Sequence, residues 1–286
     1  MNAGQPNCFI SMNQRVFGNS MTAIPPLKDG EQKVFFKAGG EWCYLWTPEG
    51  YENGKPVPVV IHHHGARGYV RNGESDWLDT ESKTAYLRAV RAGGGCAIAG
   101  SHACGDHWGN PESVAANDAL FEALKECPDI DATRTGLMGG GLGGALIWNS
   151  VLGPLSGKVK AAAVMQAVAN LTAVIREKKF KTPCIKAYGL PEDTPDAEAI
   201  AKVGPYDPMP RLQALKPGTP LPRTAIYHGF KDANIPAETN AKPLAAALVA
   251  AGGAVELNVF PDVEHNVYAM GKPIEERLKA FFAENL

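Results

Sequence analysis

Residues 135–151 read TGLMGGGLGGALIWNSV, and the reading of this stretch decides the fold. Thr135 to Met138 make a short apolar strand. It runs into Gly139, Gly140, Gly141, Gly143 and Gly144, interrupted only by Leu142, and a helix rich in Ala, Leu, Ile and Trp starts without a spacer. Strand, glycine turn and helix in that order are the layout of a nucleophile elbow, G-x-S-x-G, in which the reactive side chain stands on a turn too sharp for most residues. Gly139 and Gly143 fill the two glycine positions. The position between them, where serine is expected, holds Gly141. The rest of the chain is therefore read for the partners such an elbow needs.

Working outward, Lys33–Lys37 and Glu41–Thr47 alternate as a hairpin turned at Gly39-Gly40 and form one sheet edge. Val57–His62 is a β-branched run that suits a strand buried on both faces, as are the short runs Cys96–Ser101 and Val159–Gln166. Between them lie an amphipathic helix, Trp77–Ala92, with Asp76 as its cap and Gly93–Gly95 as its stop, and a helix from Pro111 to about Glu126. Downstream, Arg223–His228 and Val255–Phe260 read as strands, Asn240–Ala251 and Ile274–Asn285 as helices. Strands alternating with helices predict a single α/β domain over residues 1–286, with a mostly parallel eight-stranded sheet and helices on both faces. Residues 171–222 break the pattern. They are proline-rich, with two helical pieces at Leu171–Lys179 and Asp196–Lys202, and read as a short lid-like insertion.

Composition sets bounds on this reading. The 286 residues are 45% hydrophobic and 20% charged with a net charge of -2, so the chain can bury a large core. It carries no run of like charge, the footprint of a nucleic-acid or anionic-membrane binder. No apolar stretch is long enough to span a bilayer. The six cysteines (Cys8, Cys43, Cys96, Cys104, Cys127, Cys184) are scattered, without a C-x-x-C pair, as expected of thiols in a reducing compartment. MNAGQPNCFISMNQRVF lacks the plan of a signal peptide. The expected location is cytoplasmic, with a processed secreted form left open.

In open α/β sheets, ligands sit at the carboxyl ends of the strands, so chemistry is sought there. HGFKDANIP places Asp232 after one strand and PDVEHNVY places His265 after another. Position 141, Asp232 and His265 therefore follow the chain order nucleophile, acid, base. An imidazole at His265 would take and return the nucleophile's proton, and a carboxylate at Asp232 would fix its tautomer. The developing oxyanion needs two backbone amides, expected from Leu142 and from Ala66 or Arg67 in HHHGARG. Candidate substrate-binding residues are His64, Asp106, His107 and Trp108 at strand ends and Tyr188 in the insertion. Tyr206 is a further aromatic there, and Arg67 could meet a ligand carboxylate. His62 and His64 share a strand face, with His102 or His107 near, but no acidic residue follows at metallohydrolase spacing, so no metal is expected. Ser101 and Cys104 stand on no elbow and read as structural.

These motifs carry a resemblance. The chain from about Val57 to its C-terminus resembles α/β-hydrolases of the dienelactone-hydrolase and prolyl-oligopeptidase-like esterase group. The matching motifs are HHHGARG, GDHWGNPES, GLMGGGLGG, AYGL, YDPM, HGFKDANIP and VEHNVY. The resemblance implies hydrolysis of a small or medium carboxylic ester or acyl substrate by a serine, without a cofactor. Asp232 and His265 match; Gly141 departs. Loss of the serine costs about a million-fold in turnover in such enzymes. Three accounts of Gly141 follow. The chain is a deliberate knock-out, the favoured account, or a non-catalytic relative that binds a small molecule, or a hydrolase in which His265 activates water. An Asp232–His265 pair still bonded beside an open pocket favours a silenced hydrolase; a pair drifted apart favours long-standing non-catalytic use.

Overall fold

A computed structural model describes residues 23–286. The N-terminal stretch and Cys8 lie outside the described residues. Eight strands form the central sheet: β1 (Lys33–Ala38), β2 (Glu41–Trp46), β3 (Val57–His63), β4 (Ala97–Ser101), β5 (Ile130–Gly141), β6 (Val159–Ala167), β7 (Arg223–Gly229) and β8 (Val255–Phe260). Their spatial order is β1-β2-β4-β3-β5-β6-β7-β8. β1 and β2 pair as the expected antiparallel hairpin, and β2 runs antiparallel to β4. From β4 to β8 every neighbour is parallel. Parallel strands need both faces covered, which is why the central ones are continuously apolar. The sheet also carries the elbow strand in its middle: His63 lies opposite Gly139, and Gly140 opposite Met165.

The helices divide between the two faces. α1 (Asp76–Asp79) and α2 (Glu81–Gly94) follow β3, α3 (Pro111–Glu126) follows β4, and α4 (Gly143–Val151) follows β5. After β6 come α5 (Leu171–Glu177), α6 (Lys181–Ala187), α7 (Asp196–Val203) and α8 (Pro208–Gln213), then α9 (Ala241–Ala250) and α10 (Lys272–Asn285). Leu120 and Leu124 of α3, Trp148 of α4 and Leu244 and Leu248 of α9 pack on one face. Leu87 and Val90 of α2 with Leu278 and Phe282 of α10 pack on the other. Each such fully buried side chain contributes about 1.5–3 kcal/mol relative to exposure. A third cluster joins Trp108, Leu142 and Val168 to Val174, Ile185, Tyr188 and Val203, beneath the 171–222 segment.

Three local readings are corrected. The helix expected over 77–92 is two, because Thr80 adopts an extended conformation (φ -104°, ψ 111°). Asp76 does not cap it. Its carboxylate accepts from the Tyr69 amide at 3.2 Å and pairs with Lys83 at 2.8 Å. The segment 171–222 holds four helices rather than two. The extra pair, α6 and α8, begins KTP and PMP, and those prolines fall in first turns, where a missing N–H breaks no helical bond.

That segment is also firmly attached. Asp207 caps α8 and accepts from the Leu171 and Thr172 amides at 2.9 Å each. Arg211 donates to the Asn149 side chain and the Leu152 carbonyl, and Asn149 donates to the carbonyls of Gly109 and Tyr206. Buried polar groups partnered in this way tie the insertion to α4 and to the loop after β4.

Candidate active site

Backbone crowds two of the elbow glycines. A Cβ on Gly139 would stand 2.7 Å from the His63 carbonyl oxygen, and one on Gly143 would stand 2.6 Å from it. Both contacts are with backbone and cannot yield, so glycine is required at these places. Gly141 differs. Its φ is +53°, in the left-handed region, yet a Cβ there would meet only the Gly65 Cα at 3.8 Å. Position 141 thus has the strained backbone of an elbow tip together with open space for a side chain.

That space is a pocket of about 240 Å³ at the carboxyl end of the sheet. Gly65, Ala66, Gly140, Gly141 and Leu142 form its floor, and His265 enters from the loop after β8. The His265 Nδ1 lies 2.7 Å from the Asp232 Oδ2 in the loop after β7. Asp232 Oδ1 accepts from the amides of Asn234 and Ile235 at 2.9 Å. Burial by itself raises the Asp232 pKa, but hydrogen bonds from His228, His265 and the Ile235 amide outweigh it and hold the carboxyl well below the usual range. With Nδ1 bound to Asp232, the His265 Nε2 is the ring nitrogen left to serve the pocket. His228, quoted in HGFKDANIP without a role, is the residue this loop needs: buried on β7, its Nε2 reaches the Ile235 carbonyl at 2.7 Å and Asp232 at 3.3 Å.

The loop after β3 makes a tight turn, with the Gly68 amide donating to the Gly65 carbonyl and Arg67 at φ +63°. The Arg67 amide donates to Asp106 at 2.6 Å. Asp106 therefore occupies that donor, and of the two amides named for this loop Ala66 is the one in the pocket lining. The Arg67 side chain is exposed, and it is not among the lining residues.

Among the five residues named for substrate binding, Trp108 lines the pocket. His64, Asp106, His107 and Tyr188 do not; they brace the walls. His64 reaches the carbonyls of Gly65 and His102 at 2.8 and 2.9 Å. His107 accepts from the Gly109 amide at 3.0 Å, and Tyr188 donates to the Trp108 carbonyl at 3.0 Å. On the strand face that His62 and His64 share, His62 packs against Trp77 with ring centroids 4.0 Å apart. Among the described residues no group of three or more His, Cys, Asp or Glu is placed to hold a metal ion.

Of the other lining residues, Gln166 alone had a local signal. Trp77 and Tyr268 form one wall and Phe180, Val168 and Ile235 the other, with Asp76, Lys83 and Gln166 at the sides. Gln166, the second-last residue of β6, has φ +42°; it accepts from the Val267 amide at 2.6 Å and supports the turn bearing His265. A polar residue closing an apolar strand was the available sign. Arg67, Trp108 and Gln166, three non-glycine residues with positive φ, all lie at or beside the pocket, where held strain is common.

An eight-stranded sheet with this order, an elbow after its central strand and a His–carboxylate pair at its carboxyl ends define an α/β-hydrolase domain with a serine-hydrolase-type scaffold. The chain belongs to the prolyl oligopeptidase family (Peptidase_S9), whose model matches residues 100–286. It is similar to the uncharacterized peptidase YuxL of Bacillus subtilis, with 27% identity over 243 residues, covering 82% of this chain and 35% of the relative. The chain thus spans about a third of that protein's length. Among solved structures it resembles a puromycin-hydrolyzing peptidase of Mycobacterium tuberculosis (TM-score 0.68, 17% identity, 90% of this chain, 39% of that one). It also resembles dipeptidyl peptidase 4 of Porphyromonas gingivalis (0.64, 16%, 91% and 36%) and the esterase rPPE in a mutant form (0.65, 15%, 90% and 83%). Likeness at these identities supports the fold. Among the described residues no helix is long and apolar enough to cross a membrane.

Proposed function

We propose that this chain is an acyl-hydrolase domain that binds a small peptide or ester beside Gly141, and that Gly141 stands at the nucleophile position of a Ser-Asp-His site. The observation that carries the reading is the intact Asp232–His265 pair facing an open pocket in which residue 141, at the tip of the elbow, leaves room for a side chain. A serine there would attack the acyl carbon, and His265 would take its proton through Nε2 and pass it to the leaving nitrogen or oxygen. Asp232 would hold the imidazole and stabilise its cation. The amides of Leu142 and Ala66 would receive the oxyanion; the Arg67 amide, bound to Asp106, would position the loop instead.

Glycine supplies no nucleophile, so the serine route is closed in the chain as written. The retained geometry supports a silenced hydrolase over a pocket adapted to other use. Peptidase relatives shift the substrate class from the small ester of the sequence reading toward peptides, and the esterase neighbour keeps esters in range. Segment 171–222 serves in this reading as a fixed roof, contributing Phe180 to the wall.

The test is Gly141→Ser assayed with a p-nitrophenyl ester and with dipeptide p-nitroanilides. Hydrolysis of either, abolished by His265→Ala, is the expected result. A folded serine variant that cleaves neither defeats the reading. Turnover by the unsubstituted chain that depends on His265 would establish the water-activating route in place of the serine one.

A further inference from the structure

The pocket lining is divided in its chemistry. Trp108, Leu142, Val168, Phe180 and Ile235 belong to the apolar cluster beneath the 171–222 segment. The other side is made by Trp77 and Tyr268 together with Asp76 and Lys83. The carboxylate of Asp76 is nearly buried, at 9% side-chain exposure, and both its oxygens are engaged, one by the Tyr69 amide and one by Lys83. The Lys83 side chain is 40% exposed, and its ammonium has three donors, of which the 2.8 Å bond to Asp76 uses one.

Lys83 is also badly placed for its helix. It is the third residue of α2, where the positive end of the helix dipole disfavours a cation. Glu81, the acidic residue in the same turn, pairs with Arg88 instead. Asp76 compensates Lys83 and directs it along the pocket side, so the arrangement reads as a held cation rather than a solvated surface lysine.

Resting on the proposed acyl-hydrolase reading, we infer that Lys83 is a specificity-determining residue, and that the pocket takes peptides or esters with one apolar or aromatic arm and one arm carrying a carboxylate. The apolar arm lies against Trp108 and Phe180, and the carboxylate meets the Lys83 ammonium. A charge-assisted contact at a half-open site favours the anionic ligand by about 2- to 5-fold over its neutral isostere.

The unsubstituted chain tests this directly, because it has no serine at position 141 to cleave a bound ester. Binding of the 3-phenylpropionyl ester of glycolic acid is compared with that of the matching glycolamide ester by titration calorimetry. The glycolate ester binds more tightly, the difference shrinks at high salt, disappears in Lys83→Met and persists in Lys83→Arg. Asp76→Asn, which keeps an acceptor for the Tyr69 amide, enlarges the preference. Equal binding of the two esters, or a preference that survives Lys83→Met, overturns the inference and leaves the hydrolase reading in place. Binding of neither ester overturns the pocket assignment on which both rest.

Discussion

At the scale of one residue, Gly141 separates two reasons for glycine that the sequence shows identically. Gly139 and Gly143 are required by carbonyl oxygens 2.6–2.7 Å from any added Cβ, whereas Gly141 has room and pays only a conformational cost for a larger residue. A non-glycine residue held at φ near +53° costs on the order of 1–3 kcal/mol. Gly141→Ser is therefore expected to lower Tm by roughly 2–8 °C while the protein still folds. Gly143→Ala should be far more damaging, since backbone must move. Scanning fluorimetry of the two variants decides it: if serine at 141 destabilises as much as alanine at 143, the open space beside Gly141 is not real. Glycine at position 141 relieves the strain of the left-handed backbone and leaves the space beside it open.

At the scale of the element, the end of β3 sets the acid behaviour of the molecule. His62 and His63, with His107 after β4, are buried, and burial disfavours their charged forms: His62 and His107 lie well below the ordinary imidazole value and His63 is lowered to about 3. In the unfolded chain the same groups titrate near 6.5. The unfolded state then binds more protons below that value, so stability is complete above about pH 6.5 and falls as pH drops toward the folded values. Each histidine contributes a slope of up to about 1.4 kcal/mol per pH unit. Urea midpoints measured from pH 8 to pH 5 should fall steadily below 6.5, and His63→Gln should make the decline shallower by about one proton's share. A flat profile between pH 7 and 5 would show these rings to be protonated or hydrated in the native state. Asp232 acts in a separate window, because its depressed carboxyl contributes stability that is lost only below about pH 4.

At the scale of the whole molecule, the question is whether residues 171–222 move. Their prolines and broken periodicity read as a short lid-like insertion, a pattern that loose chain shares. Asp207, Asn149, Arg211 and Tyr188 instead bond this segment to α4, to the loop after β4 and to its own first helix. Val174, Ile175, Cys184 and Ile185 are buried in its core. Hydrogen exchange should find the Leu171 and Thr172 amides, both held by the Asp207 carboxylate, protected like those of the sheet. Exchange of these amides at loop rates would restore a mobile lid. A fixed roof implies that substrate selection lies in the standing shape and charge of the pocket.

Much of this protein was legible in one dimension. Period-two and buried apolar runs located all eight strands of the sheet, because hydrophobic pattern is a local property that tertiary structure must satisfy. The elbow and the order of Asp232 and His265 were legible for a related reason: a sharp turn and a strand end constrain which residues can stand there. What required the fold was every relation between distant side chains. Asp106 holds the Arg67 amide, His228 braces Asp232, Tyr188 supports Trp108, and Lys83 of α2 lines the pocket with Asp76. The Arg67–Asp106 and Trp108–Tyr188 contacts join segments set side by side only when the sheet closes, and the nearer pairs, His228–Asp232 and Asp76–Lys83, depend on the shape of the turns that carry them. The sequence by itself determined the scaffold and the glycine turn at its centre. Only the tertiary structure decided which polar groups face the pocket and which are consumed in building its walls.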